Sequence, residues 1–123
     1  MLAYSLKKNS DFIRAYKNGR HYSGRRLTLY VLNGCPDRNG LGVTASKKVG
    51  KSVRRNRIKR LIKENFRSLE RFVHTGYQFV FFVRISRDAE LPGYYEVGDE
   101  IKNLFLKAGV FDLILWESSS DGA

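Results

Sequence analysis

The residues with the most chemistry to offer lie in one run, 46–63, SKKVGKSVRRNRIKRLIK. It holds nine cationic side chains, Lys47, Lys48, Lys51, Arg54, Arg55, Arg57, Lys59, Arg60 and Lys63, and no acidic one. Such a set suits phosphate: arginine forks two N–H donors onto one group, and lysine supplies a point charge. The run also spans the expected start of a helix, where each cation costs about 0.3–1 kcal/mol against the helix dipole. Free N–H groups at that end favour an anion instead. A polyanionic partner resolves the conflict. The competing reading is a solvated face, but such a face would mix signs.

A second constellation is aromatic. Phe12 and Tyr16 stand four apart on an expected first helix and so share a face, with Ile13 beside them. Tyr30 lies on a strand that alternates, with Leu27, Leu29 and Val31 on one side and Thr28, Tyr30 and Leu32 on the other. If the basic helix covers the leucine side, Tyr30 points away from it, where the first helix can meet it. Core packing of the three rings is the plain alternative.

No catalytic constellation is visible. His21 and His74 stand alone, without a carboxylate or serine in a triad-like setting. Asp99 and Glu100 are adjacent on an expected helix and point in different directions. There is no phosphate-cradling glycine loop and no metal motif. Cys35 is the only cysteine, which excludes a disulfide framework and a thiolate zinc site.

The elements that must position these residues read as follows. A first helix occupies 10–18, capped by Asn9 or Ser10 and stopped by Gly19. The cation-rich 20–26 is irregular or a short edge strand, 27–33 is a strand, 34–40 a turn, and 41–47 the returning strand. With Ser52 as N-cap, an amphipathic helix runs past Leu69. Its core stripe is Ile58, Leu61, Ile62, Asn65, Phe66 and Leu69, with Asn56, Lys59, Arg60, Lys63 and Arg67 opposite. Arg54 and Arg55 share the core azimuth a turn early, so the first turn is expected to project beyond the body. A buried strand at 77–84 and a helix from Tyr95 to Ala108, ended by Gly109, follow. Residues 110–116 suit either a short strand or a docked helix.

The order α-β-β-β-α-β-α predicts an α+β fold with helices on a small sheet of about four strands. One domain over 1–117 and a flexible tail over 118–123 are expected. The formal net charge is +11, and 12–63 carries fifteen cationic residues against one acid, leaving eight against eleven elsewhere. That excess in the first half points to nucleic acid. No apolar run reaches membrane-spanning length and 1–12 lacks a signal-peptide core, so a cytoplasmic protein with no membrane partner is expected.

The run SKKVGKSVRRNRIKRLIKE, with Arg55-Asn56-Arg57 at its centre, resembles the signature of the protein subunit of bacterial ribonuclease P. LKKNSDFIRAYKNG, LTLYVL, GVTASKK and YQFVFFVR also stand in that family's order, so the likeness spans about 6–108. The resemblance implies a sandwich like domain 2 of ribosomal protein S5, with a left-handed β-α-β crossover where the general rule gives a right-handed one. It implies that catalysis belongs to a partner RNA with Mg²⁺, held mainly by that RNA, and that the protein has no catalytic or metal-binding residues of its own. Lys51, Arg54, Arg55, Asn56, Arg57, Lys59, Arg60 and Lys63 would contact the catalytic RNA. Phe12, Tyr16, Tyr30, Lys47 and Lys48 would hold the 5′ leader of precursor tRNA, with Tyr16 standing where a phenylalanine is common. The function implied is removal of that leader in tRNA maturation. The alternative is a structural ribosomal or rRNA-assembly protein, which gives no reason for an aromatic single-strand cleft. A DNA partner is not expected, since no helix-turn-helix is visible.

Overall fold

A computed structural model describes residues 2–119. Its elements are β1 (Tyr4–Ser5), α1 (Asn9–Asn18), β2 (Arg20–Ser23), β3 (Leu27–Asn33), β4 (Gly40–Thr44), α2 (Ser52–Leu69), β5 (Tyr77–Val83), α3 (Tyr94–Ala108) and α4 (Leu113–Ser118). A single 3₁₀ turn, Lys47–Val49, joins β4 to α2, and another, Glu70–Phe72, follows α2.

The five strands form one sheet in the order β1-β4-β5-β3-β2. β4 and β5 are parallel neighbours bridged by α2, whereas β3 runs antiparallel to both β5 and β2. The sheet splits the apolar residues by parity. Leu27, Leu29, Val31, Phe79, Phe81 and Val83 face Ile58, Ile62 and Phe66 of α2 and Ile101, Leu104 and Phe105 of α3 in the main core. On the other side a smaller cluster of Leu6, Ala15 and Val80 is flanked by Tyr4, Phe12, Tyr30 and Leu32. The expected helix stripe and strand alternation hold, and the class is α+β as read from sequence.

Several local expectations change. The sheet has five strands rather than about four, because the two-residue β1 pairs with β4 and gives no periodic signal of its own. Glu70 holds that segment in place by accepting the backbone N–H groups of Leu2 and Ala3 at 2.8 and 2.6 Å. The cation-rich segment after Gly19 does form an edge strand, β2. Asn9 and Ser52 are first helical residues, and the residues before them, Lys8 and Lys51, cap without a side-chain bond. After α3, Phe111 makes a lone bridge with Val73 and the chain then enters α4, capped by Asp112. Of the tail expected over 118–123, Ser118 closes α4 and 120–123 lie outside the described residues.

Asn65 is the one polar member of the α2 stripe, and it is buried. Its Nδ2 donates to Leu61 O and to Tyr94 O, both at 3.0 Å, tying α2 to the start of α3. Asn65→Ala is expected to destabilise the protein by about 2 kcal/mol, because a buried amide and its two hydrogen bonds, one of them across the α2–α3 contact, are lost together. Denaturant unfolding followed by circular dichroism measures this. A midpoint equal to the parent's would show that the tie is dispensable.

Candidate nucleic-acid interface

Two surfaces, on opposite sides of the sheet, carry the residues singled out by sequence. On the outer face of α2, Asn56, Lys59, Arg60, Lys63, Glu64 and Arg67 line one shallow groove. Asn56, Arg57, Arg60 and Lys63 are exposed, while Ile58 and Ile62 behind them are fully buried. The amphipathic stripe thus aims the cations outward as a consequence of burying the apolar side. Among the described residues no acidic group forms a salt bridge with any cation of α2; the three ion pairs there use Arg14 and Arg26 instead.

The first turn of α2 does not project as expected. Arg54 folds back, its Nε donating to Val49 O at 2.7 Å and its Nη2 to Ser86 O at 2.9 Å and to Ala89 O. Arg55 is half-buried, and its Nε is buried without a hydrogen-bond partner among the described residues. The residues that do stand free in this turn are Ser52 and Val53.

On the opposite side α1 covers only part of the sheet. Phe12 and Ala15 pack down, Phe12 lying close enough to β4 that a Cβ on Gly42 would come within 2.7 Å of its ring. One turn further on, Tyr16 is 37% exposed and meets Tyr30 edge-on, ring centres 5.0 Å apart at 71°. Its hydroxyl shares a hydrogen bond of 2.8 Å with Thr44 Oγ1. That bond anchors the ring to the last residue of β4, just ahead of the turn bearing Lys47 and Lys48, both exposed. Burial holds the Tyr16 phenol above its ordinary pKa, with the Thr44 bond opposing and nearby Tyr30 adding to the rise. The ring is therefore neutral at physiological pH.

Two further rings join the pair. Phe82 lies 6.2 Å from Tyr16 at 89°, and His21, the cross-strand partner of Tyr30, lies 6.0 Å from it. Reading 77–84 as a uniformly buried run hid Phe82, although its parity with Val80 and against Phe79 and Phe81 carried the information. His21 could not be found that way, because only the β2–β3 register sets it beside Tyr30. Lys48 and Phe82 also line a common hollow of about 440 Å³ with Ser46 and Arg84. Phe12, Tyr16 and Tyr30 therefore come together, with Phe12 more a floor than a platform, while Lys48 reaches the group through the Phe82 hollow and Lys47 is exposed on the adjoining turn.

Among the described residues no three His, Cys, Asp or Glu side chains gather as a metal site. Glu100, of the adjacent Asp99–Glu100 pair, is occupied structurally: it accepts the backbone N–H of Arg26 at 2.8 Å and of Leu27 at 2.6 Å. No helix among the described residues is long and apolar enough to cross a membrane.

The geometry defines a small α+β protein with a cationic helix on one side of its sheet and a half-open aromatic face on the other. Residues 2–109 match the family model for Ribonuclease P, and the chain belongs to that family. It is 46% identical over 113 residues to the Ribonuclease P protein component of Clostridium kluyveri, covering 90% of this chain and 99% of that one. The Staphylococcus aureus RNase P protein structure superposes with a TM-score of 0.72 at 32% identity, covering 89% and 98% of the two chains. That of Thermotoga maritima gives 0.76 at 26% identity, covering 84% and 96%. Ribonuclease P is a tRNA-processing nuclease and a ribonucleoprotein.

Proposed function

We propose that this chain is an RNA-gripping subunit with two separate jobs. The outer face of α2 (Lys51, Asn56, Arg57, Lys59, Arg60, Lys63, with Arg55 at its edge) binds the catalytic RNA. The face formed by Tyr16, Tyr30 and Phe82, floored by Phe12 and rimmed by Lys47 and Lys48, holds the single-stranded 5′ leader of precursor tRNA. The partner RNA supplies phosphodiester hydrolysis with its bound Mg²⁺, and the work is done in the cytoplasm. The observation that carries this reading is the half-exposed Tyr16–Tyr30 pair beside a lysine-bearing turn, on the side of the sheet away from α2.

The physics favours a single strand there. Unpaired bases stack on aromatic rings at about 1–3 kcal/mol each, while neighbouring cations track the backbone. An A-form duplex cannot present its bases to rings recessed beside a helix. On α2 the phosphates of a folded RNA relieve repulsion among cations that have no acidic partner there, and this contact is salt-dependent.

Reconstitution tests the reading. The purified chain, added to the cognate ribonuclease P RNA at low Mg²⁺, is expected to restore cleavage of precursor tRNA at the leader junction. Phosphate neutralisation by the protein should lower the Mg²⁺ that the RNA needs. Should the chain bind ribosomal RNA tightly and leave cleavage unaffected at every Mg²⁺ concentration, the structural ribosomal or rRNA-assembly reading takes its place.

A further inference from the structure

Arg54 sits in the middle of the basic run, yet its guanidinium is turned onto its own chain. Three of its N–H donors go to the carbonyls of Val49, Ser86 and Ala89. Its stem lies over Gly50, where a Cβ would stand 2.6 Å from Arg54 Cδ; Gly50 also has φ +143, which a side chain would strain. The segment after β5 answers from the other side, with Arg87 Nη2 donating to Lys47 O at 3.2 Å. The loop is knotted internally as well, Ala89 N–H donating to Ser86 O and Asp88 N–H to Ser86 Oγ. The start of α2, the Lys47–Val49 turn and the loop 85–91 are thus cross-tied in both directions.

We propose that Arg54 is a positioning residue rather than a phosphate contact. It locks the loop 85–91 against the Lys47–Val49 turn, so that the rim cations of the aromatic face keep a fixed relation to the first turn of α2. The assignment of the two RNA surfaces under the proposed function is assumed here. Arginine suits the task because its planar fork spans carbonyls from two segments; a lysine ammonium is a point donor and cannot. With three of its five donors committed, Arg54 adds little to the counterion release that its neighbours provide.

Arg54→Gln and Arg54→Lys in the full chain separate these roles. In the free protein, amide hydrogen exchange across 85–91 is expected to rise at least about tenfold in both variants, since local opening is no longer tied to the helix. In the reconstituted particle, Arg54→Gln should keep the parent's slope of log affinity against log salt for the catalytic RNA. Arg57→Ala, by contrast, should lose about 0.7–0.9 of that slope. The preference for leader-bearing over leaderless precursor should fall several-fold in both Arg54 variants. Unchanged exchange in both variants overturns the proposal. So does Arg54→Lys behaving as the parent while Arg54→Gln loses one contact's worth of slope. Exchange in the free protein decides the staple without any RNA, so failure of the RNA-surface reading would show separately, as a parent protein with neither salt-dependent assembly nor leader preference.

Discussion

Replacing Arg57, Arg60 and Lys63 together by Ala is expected to weaken assembly with the catalytic RNA about a hundredfold near physiological salt. The estimate follows from counterion release. Three lost phosphate contacts lower the slope of log affinity against log salt by about 2–2.7, and near 0.15 M that slope is worth roughly two decades. The three side chains are exposed, and behind them Ile58, Ile62 and Phe66 are fully buried, so the core is untouched. Stability should hold or rise slightly, because like charges three and four apart on a helix repel by about 0.2–0.5 kcal/mol per pair. Arg57 with Arg60, and Arg60 with Lys63, are such pairs. Binding that collapses while the melting temperature does not is the signature of an interface. Arg55 is left intact, since its buried Nε would mix a folding effect into the result. Titration at several KCl concentrations gives the slope, and a triple variant with the parent's slope would remove α2 from the interface.

Legibility in the sequence followed the strength of local periodicity. The α2 stripe was readable because six core positions recur at helical spacing over three turns, and each of them packs inward in the fold. The two faces of β3 were readable from strict alternation, which placed Tyr30 away from α2 before any contact was known. What was not legible depended on pairing between distant segments. β1 is too short to show a pattern and exists because Asn39 O and Leu41 O take up the N–H groups of Tyr4 and Leu6, while Glu70 holds those of Leu2 and Ala3 just ahead. His21 reaches Tyr30 only through register. Arg54 shows the limit of charge counting most plainly: its type and place matched the rest of the basic run, but three carbonyls brought near by loop 85–91 and the turn at Val49 outbid solvent for its donors. A helix wheel gives the direction of a side chain and not what the chain brings to meet it. The aromatic cleft lies between these cases, since residue type suggested the rings, while only the α1–β3 packing brought Tyr16 within 5.0 Å of Tyr30.

The double variant Tyr16→Ala, Tyr30→Ala is expected to remove most of the advantage that leader-bearing precursor has over leaderless tRNA. Each ring that stacks a base contributes about 1–3 kcal/mol, so the pair together is worth at least tenfold and up to several-hundredfold in affinity if partly coupled. The rings touch one another, so the two single variants are not expected to add: losing Tyr16 also leaves Tyr30 without its edge-on neighbour. Tyr16→Phe separates stacking from the Thr44 hydrogen bond, keeping the ring while freeing the hydroxyl's partner. It should retain most of the leader preference if stacking is what counts. The raised Tyr16 pKa fixes the sign of the pH dependence. Its neutral form is favoured in the folded state, so its contribution is fully present below the ordinary tyrosine value of about 10 and fades as pH climbs beyond it. Leader preference should therefore be flat through neutral pH as far as this ring is concerned. Assembly with the catalytic RNA should survive in the double variant, because α2 lies across the sheet. The measurement is the dissociation constant of leader-bearing and leaderless tRNA for each reconstituted variant. Equal losses for both substrates, or none for either, would mean that the rings serve the small core behind them, and the leader would have to be sought on another surface.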